Sequence, residues 1–148
     1  MNDAQTAIRN MTLDDLAAVL PLMEQLGYDV GGDELARRFR TVSGAGGHCL
    51  LVAECEGRIA GFCHVFVRPA LEKPPEAIVQ SMVVDKAARR GGVGRALMAT
   101  AEAWAREAGF VSVALSSQIE RDDAHAFYAN LGYARVATSG LLRKQLGP

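Results

Sequence analysis

The sequence predicts an α/β fold: a mixed, mostly antiparallel central sheet of six to seven strands flanked by about four helices. Three observations predict it. Apolar residues at helical spacing alternate with short runs rich in Val, Ile and Phe. The runs between residues 50 and 84 follow one another with no helix between them, as hairpin-linked strands do. A glycine-rich loop then joins the last of these runs to a helical stripe. With 148 residues, 49% hydrophobic and 22% charged, the chain can bury one core, and residues 1–148 are expected to form a single domain. A formal net charge of -1 argues against a nucleic-acid or anionic-membrane partner.

Ile8 opens a short extended segment. Thr12 reads as an N-cap with Asp15 at the capping-box position, and Leu13, Leu16, Ala17, Leu20 and Met23 recur on one helical face that Gly27 closes. A second helix is expected from Asp33 to about Arg40. The runs LLVAEC and IAGFCHVFV flank Glu56-Gly57-Arg58 as a hairpin does, and AIVQSMVV follows the loop LEKPP as another strand. Val93, Leu97, Ala101, Trp104 and Ala108 form the stripe of the next helix, which Gly109 ends. Residues 111–115 read as a strand, residues 123–131 as a short helix ending at Gly132, and residues 133–136 and 141–146 as two final strands. Cys49, Cys55 and Cys63 lie in apolar strand-like surroundings, which fits buried free thiols in a reducing compartment. The N-terminal MNDAQTAIRNMT lacks the apolar core of a signal peptide and no run reaches membrane-spanning length, so the expected location is cytoplasmic.

The chemistry concentrates in DKAARRGGVGRAL, which begins at Asp85. The first turn of a helix presents unpaired amides and about half a positive charge. Glycines just before it let those amides approach a ligand, and arginines add charge-assisted donors. The combination suits phosphate or pyrophosphate. Gly44-Ala45-Gly46-Gly47 is just as glycine-rich but leads into a strand, so it reads as a plain loop. No Lys-Ser/Thr pair follows Gly94, which excludes the P-loop pattern, and Leu97 stands where a dinucleotide fingerprint needs its third glycine or alanine.

Arg89, Gly92 and Gly94 match (Arg/Gln)-x-x-Gly-x-(Gly/Ala), and Ala126-Phe127-Tyr128-x-x-Leu131-Gly132-Tyr133 follows downstream. With Val83-Val84-Asp85 at a strand end and the β-α-α-β-β order before it, the chain from Ile8 onward resembles the GNAT superfamily of acyl-CoA-dependent N-acyltransferases. The resemblance implies splayed strands that form an acyl-CoA cleft. It implies acetyl-CoA as acyl-donor co-substrate, no metal, and transfer of the acetyl group to a primary amine by direct attack on the thioester. It assigns the backbone of Met82, Val83 and Val84 to the pantetheine arm, with an N–H near Val83 or Val84 holding the oxyanion. Arg89 shapes the loop, and Arg90, Gly91, Gly92, Val93, Gly94 and Arg95 cradle the pyrophosphate. Tyr128 is the implied acid for the leaving thiolate; its plainer reading is a helix aromatic packed beside Phe127.

Two departures stand out. Many members carry a basic glutamate on the strand before the motif, where this chain has Gln80 or Ser81; others place it at the end of the next strand, where Ser116 and Ser117 stand. Arg121 replaces an asparagine that often follows. The base is then a water chain or a residue from elsewhere, with Glu76, His64, Asp122 and His125 as the remaining candidates. His64 shares a strand face with Phe62 and Phe66, as packed histidines do; Glu76 follows two prolines and reads as solvated. Asp122 or Asp123 is more simply a helix cap, and His125 lies one turn before Tyr128. His48, Cys49, Cys55, Cys63 and His64 match no common zinc spacing. The missing carboxylate leaves a second reading, a catalytically inactive acyl-CoA-binding or regulatory module of the same fold, against which Tyr128 argues. The acceptor is a small-molecule or peptide amine, with specificity expected from the first helices and from loops 28–32, 71–76 and 138–140; a homodimer is a family-based expectation.

Overall fold

In the computed structural model, which describes residues 6–89, 91–116 and 122–148, the apolar runs pair into a five-stranded sheet of order β1-β2-β3-β4-β5. The strands are β1 (Thr6–Asn10), β2 (His48–Cys55), β3 (Arg58–Arg68), β4 (Glu76–Val84) and β5 (Val113–Leu115). The first three pairings are antiparallel, and β4 with β5 is parallel. The helices are α1 (Leu16–Leu26), α2 (Gly32–Gly44), α3 (Val93–Glu107) and α4 (Asp122–Asn130). Contacts divide the chain into two compact units, residues 1–116 with the sheet and the first three helices, and residues 117–148 with α4.

The expected order of elements holds through α4, but six to seven strands become five among the described residues. No strand forms at 133–136 or 141–146. Val136, Leu141, Leu142 and Leu146 are at least 80% exposed there, so the apolar composition that suggested strands has no ladder to join. A strand exists only through its neighbour's hydrogen bonds, which composition cannot supply. β5 is also shorter than expected, with Val111 outside it and 90% exposed.

The two faces of the sheet follow from side-chain alternation. Val52, Phe62 and Val83 stand in one register row and pack against Leu16, Val19, Leu22 and Leu35 of α1 and α2. Burying each such side chain stabilises the fold by about 1.5–3 kcal/mol. Leu51, Ala53, Cys63, Val65, Ala77 and Val79 point to the other face and are also buried. There α3 contributes Val93, Leu97, Met98, Ala101 and Ala105. The buried stripe therefore runs through Met98 and Ala105 rather than through Ala108, which is exposed at the helix end.

Local chemistry sets the junctions. Glu56 and Gly57 both have positive φ, 54° and 76°, the backbone of a tight two-residue hairpin turn. Gly27 ends α1 in the left-handed conformation at φ 106° and accepts the cap role expected of it. At the other end, the Thr12 amide donates to Asp15 Oδ2 at 2.7 Å, and Arg9 donates to both Asp15 oxygens at 2.8 Å and to Glu54 at 2.9 Å. Hydrogen bonds from Arg9 outweigh the burial of Asp15 and hold its carboxyl down at about 2.

Gly61 sets how closely α3 can lie on the sheet. A Cβ there would sit 2.7 Å from the Val83 carbonyl oxygen, 3.2 Å from Leu97 Cδ1 and 3.3 Å from Val93 Cγ1. Gly61→Ala is expected to destabilise the protein by roughly 1–3 kcal/mol, because the nearest obstacle is backbone that cannot move aside. A thermal melt equal to that of the unsubstituted protein would contradict this close-packing role.

Candidate active site

A break in the ladder prepares the site. β3 and β4 pair from Arg68↔Glu76 to Val65↔Val79, and again from His64↔Ser81 to Gly61↔Val84. Gln80 is left as the extra residue of a β-bulge, and it is exposed. β5 pairs with β4 only at Ala77, Ile78 and Val79, before the bulge. Past that point β4 runs on to Val84 with β3 on one edge and no described strand on the other.

Backbone alternation says which groups face the open edge. The Asp85 amide donates to Ala60 O at 2.8 Å, toward β3. Successive residues of a strand alternate edges, so Val83 also faces β3 while Val84 and Met82 present their N–H and C=O groups to the open edge. Arg89 confirms the direction from the other side, since its Nε donates to Val84 O at 3.3 Å. Of Val83 and Val84, left open by the sequence, only Val84 has an N–H on that edge. Val83 instead puts its side chain into the core.

After β4 the chain makes a short 3-10 turn, Lys86–Ala88, capped by Asp85. The Ala87 amide donates to Asp85 Oδ1 at 3.2 Å and the Ala88 amide to Asp85 O at 2.8 Å. From α1, Gln25 Nε2 donates to Asp85 Oδ1 at 3.2 Å, while the Lys86 amide donates to Gln25 Oε1 at 3.0 Å. The Gln25 hydrogen bond, with the Ala87 amide, lowers the Asp85 pKa and keeps that carboxylate charged.

Gly92 then turns the chain into α3 in the left-handed conformation, φ 85°, as the N-cap residue. A β-carbon on Gly91 would stand 3.4 Å from Ala88 O, an ordinary contact, so the positive φ at Gly92 is what the turn requires. The first helical bond is from the Ala96 amide to Gly92 O at 3.0 Å. The amides of Val93, Gly94 and Arg95 precede it and have no acceptor within the helix. Arg89 and Arg95 are exposed around these amides, Gly91 is half-buried, and Val93 and Gly94 are buried in the first turn. The loop thus has the amides and the charge that an anionic phosphate needs. Arg90 lies outside the described residues, as do Ser117 and Arg121.

Tyr128 belongs to the second unit. It meets Phe127 edge-on, with ring centroids 5.0 Å apart, and Tyr133 at 5.8 Å. Its carbonyl accepts from the amides of Leu131 and Tyr133, both at 3.0 Å, and Gly132 at φ 97° completes the helix end. The phenol ring is therefore held from two sides by the FYANLGY segment itself.

The other candidates have local explanations. His64 Nε2 and His48 Nδ1 are 2.9 Å apart and share a hydrogen bond, and His48 stacks on Phe66. Burial pushes the His64 pKa down to about 4, with His48 beside it adding to the shift, so His64 is neutral near pH 7. Glu76 is not free, since it accepts from Arg68 at 3.4 Å and from Ser112 at 3.1 Å. His125 is half-buried on α4 and Asp123 exposed at its start; the Asp122 side chain lies outside the described residues. The three cysteines are free thiols, and burial pushes Cys63 up to about 12, far from a reactive thiolate. Among the described residues no three metal-ligating side chains come together. Sequence reading missed Gln25 and Gly61. Both act on residues far along the chain, and no local pattern marks either.

The sequence model of the acetyltransferase (GNAT) family matches residues 16–133. The chain is 30% identical, over 95% of its length and 94% of the relative's, to an aminoglycoside N(6')-acetyltransferase type 1 of Stenotrophomonas maltophilia. In fold it is similar to the aminoglycoside N-acetyltransferase AAC(6')-Iy in complex with CoA, with a TM-score of 0.85 at 20% identity over 95% of each chain. It is likewise similar to the aminoglycoside 6'-N-acetyltransferase AAC(6')-Ih of Acinetobacter baumannii, with a TM-score of 0.84 at 19% identity over 96% of this chain and 99% of that one.

Gly92 offers a test of the loop. Gly92→Ala forces a left-handed conformation on a residue with a Cβ, at a cost of about 1–2 kcal/mol, which the loop can relieve by changing shape. CoA affinity measured by calorimetry should fall about tenfold. Unchanged affinity would mean that the shape of this turn does not matter to the donor.

Proposed function

The chain belongs to the acetyltransferase (GNAT) family and is an acetyl-CoA-dependent N-acetyltransferase, and from that premise we propose that its acceptor is a primary amine of an aminoglycoside-like polyamine. The observation that carries the proposal is the 30% identity to the Stenotrophomonas maltophilia aminoglycoside N(6')-acetyltransferase along nearly the whole of both chains. The family match from residue 16 to residue 133 crosses both compact units, which supports reading them as parts of one catalytic domain.

The proposed chemistry is direct transfer. The pantetheine arm of acetyl-CoA adds to the open edge of β4 as a further strand would, against the groups of Met82 and Val84. The pyrophosphate lies on the amides that lead α3, with Arg89 and Arg95 nearby and Arg90 in the same loop. The neutral amine attacks the thioester carbonyl, whose oxygen gathers negative charge as the tetrahedral intermediate forms. An N–H at Val84, already fixed by the strand, stabilises that charge without reorganising. Collapse breaks the C–S bond, Tyr128 gives its proton to the departing thiolate, and the proton that the acylated nitrogen sheds restores the phenol, leaving a neutral amide and a thiol.

The acceptor arrives as an ammonium ion and must lose a proton first. Gln80 at the bulge and Ser81 beside it cannot take that proton, and Ser116 at the end of β5 cannot either. A chain of water molecules leading to bulk solvent is the proposed route. Polyamines suit such a site, because each ammonium lowers the pKa of its neighbours and raises the neutral fraction.

Two measurements check the reading. Thiol release from acetyl-CoA should follow addition of aminoglycosides that carry a 6'-amine and should be absent with congeners that carry a 6'-hydroxyl. Faster turnover of lysine peptides than of any aminoglycoside would overturn the acceptor assignment. Tyr128→Phe should lower kcat by about 10²-fold with CoA affinity within about twofold of the unsubstituted protein. An unaltered kcat would remove Tyr128 from the reaction.

A further inference from the structure

We propose that Gln25 is a positioning residue for the acyl donor, its side-chain amide clamping the end of α1 to the first turn of the pyrophosphate loop. The inference rests on the reading that the loop at Arg89 to Arg95 holds the pyrophosphate, and it concerns how that loop is held in shape.

Both ends of the Gln25 amide are used, and on consecutive residues. Oε1 accepts from the Lys86 amide at 3.0 Å and Nε2 donates to Asp85 Oδ1 at 3.2 Å. The Lys86 N–H fixes which end of the amide faces which partner, since only the oxygen can accept it. Asp85 is the hinge of the loop. Its amide is bonded to Ala60 on β3, its carbonyl receives Ala88, and the same Oδ1 that meets Gln25 also receives Ala87. Four residues on, Arg89 reaches back to Val84 O at the open edge of β4. The side chain of Gln25, half-buried, therefore joins a helix packed on one sheet face to the strand end where the donor loop leaves the sheet. Two residues after Gln25, Gly27 ends α1 and opens the loop toward α2. A shift in that loop is thereby coupled to the donor loop through a single side chain.

The clamp makes no contact with the reacting atoms, so it should act on donor affinity and leave the chemical step alone. The test compares acetyl-CoA with acetyl-S-pantetheine, which lacks the pyrophosphate. Gln25→Leu keeps the size and removes both bonds. Its CoA dissociation constant and acetyl-CoA KM should rise about 3- to 10-fold, with kcat at saturating donor within twofold and the acetyl-S-pantetheine KM unchanged. Gln25→Glu keeps the acceptor for Lys86 but sets a carboxylate against Asp85, and should raise the acetyl-CoA KM further. If the unsubstituted enzyme prefers acetyl-CoA to acetyl-S-pantetheine and both variants keep its acetyl-CoA KM, the role of Gln25 is overturned while the pyrophosphate reading stands. If the unsubstituted enzyme handles the two donors alike, the pyrophosphate reading fails and takes the proposal with it. An equal loss with both donors, alongside a lowered melting temperature, would mark Gln25 as merely structural and overturn the proposal too.

Discussion

The structure turns on the unequal pairing of β4. One edge is held by β3 along nearly its whole length, whereas among the described residues the other is held by β5 for three residues only. Backbone N–H and C=O groups left on a strand edge are strong, directional and costly to leave without partners. Among the described residues pairing on that edge stops at Val79, which leaves on it the groups of Met82 and the N–H of Val84, whose carbonyl accepts from Arg89, and the bulge at Gln80 marks where the change occurs. In the proposed reaction the donor is held in extended form with its carbonyl beside a fixed N–H, and an interrupted ladder suits that with no dedicated side chain.

Everything around β4 keeps its open half in place. Val83 anchors the strand in the core under α1 and α2, and Gly61 admits α3 close against the other face. Because α3 lies so near, its first turn starts just beyond the strand end, and a loop of few residues can link the two. Asp85 orders that loop from β3, from its own turn and from α1 at once. Under the proposed function, donor recognition is mostly backbone recognition, with arginines supplying charge at the rim. The same economy explains why the loop is glycine-rich: amides can serve a phosphate only where no side chain keeps it away.

The turns at the candidate site were legible in the sequence. Arg89, Gly92 and Gly94 declare a tight turn into a helix, and Gly27, Gly92 and Gly132 all take the positive φ that their positions required. The capping pair Thr12 and Asp15 was legible for the same reason, since both partners lie within one turn. Readings failed where a partner was distant. Residues 133–136 and 141–146 have strand-like composition, but a strand is defined by a neighbour and none pairs with them among the described residues. The stripe of α3 was right at Val93, Leu97 and Ala101; Met98 and Ala105, three and four residues from Ala101, complete the buried face, whereas Trp104 is half-buried and Ala108 is exposed past the helix end.

The chain by itself determined the family and the donor, since the residues that carry the resemblance lie close together in sequence. Only the tertiary structure decided which backbone groups of β4 face the open edge, because that depends on the register with β3 and on where β5 stops. It also decided the roles of Gln25 and Gly61. The first reaches Asp85 across 60 residues, and the second matters only because α3 and the Val83 carbonyl arrive on the same spot. Local conformational preference acts between near neighbours, whereas close approach and hydrogen bonding between distant segments exist only after the chain has folded.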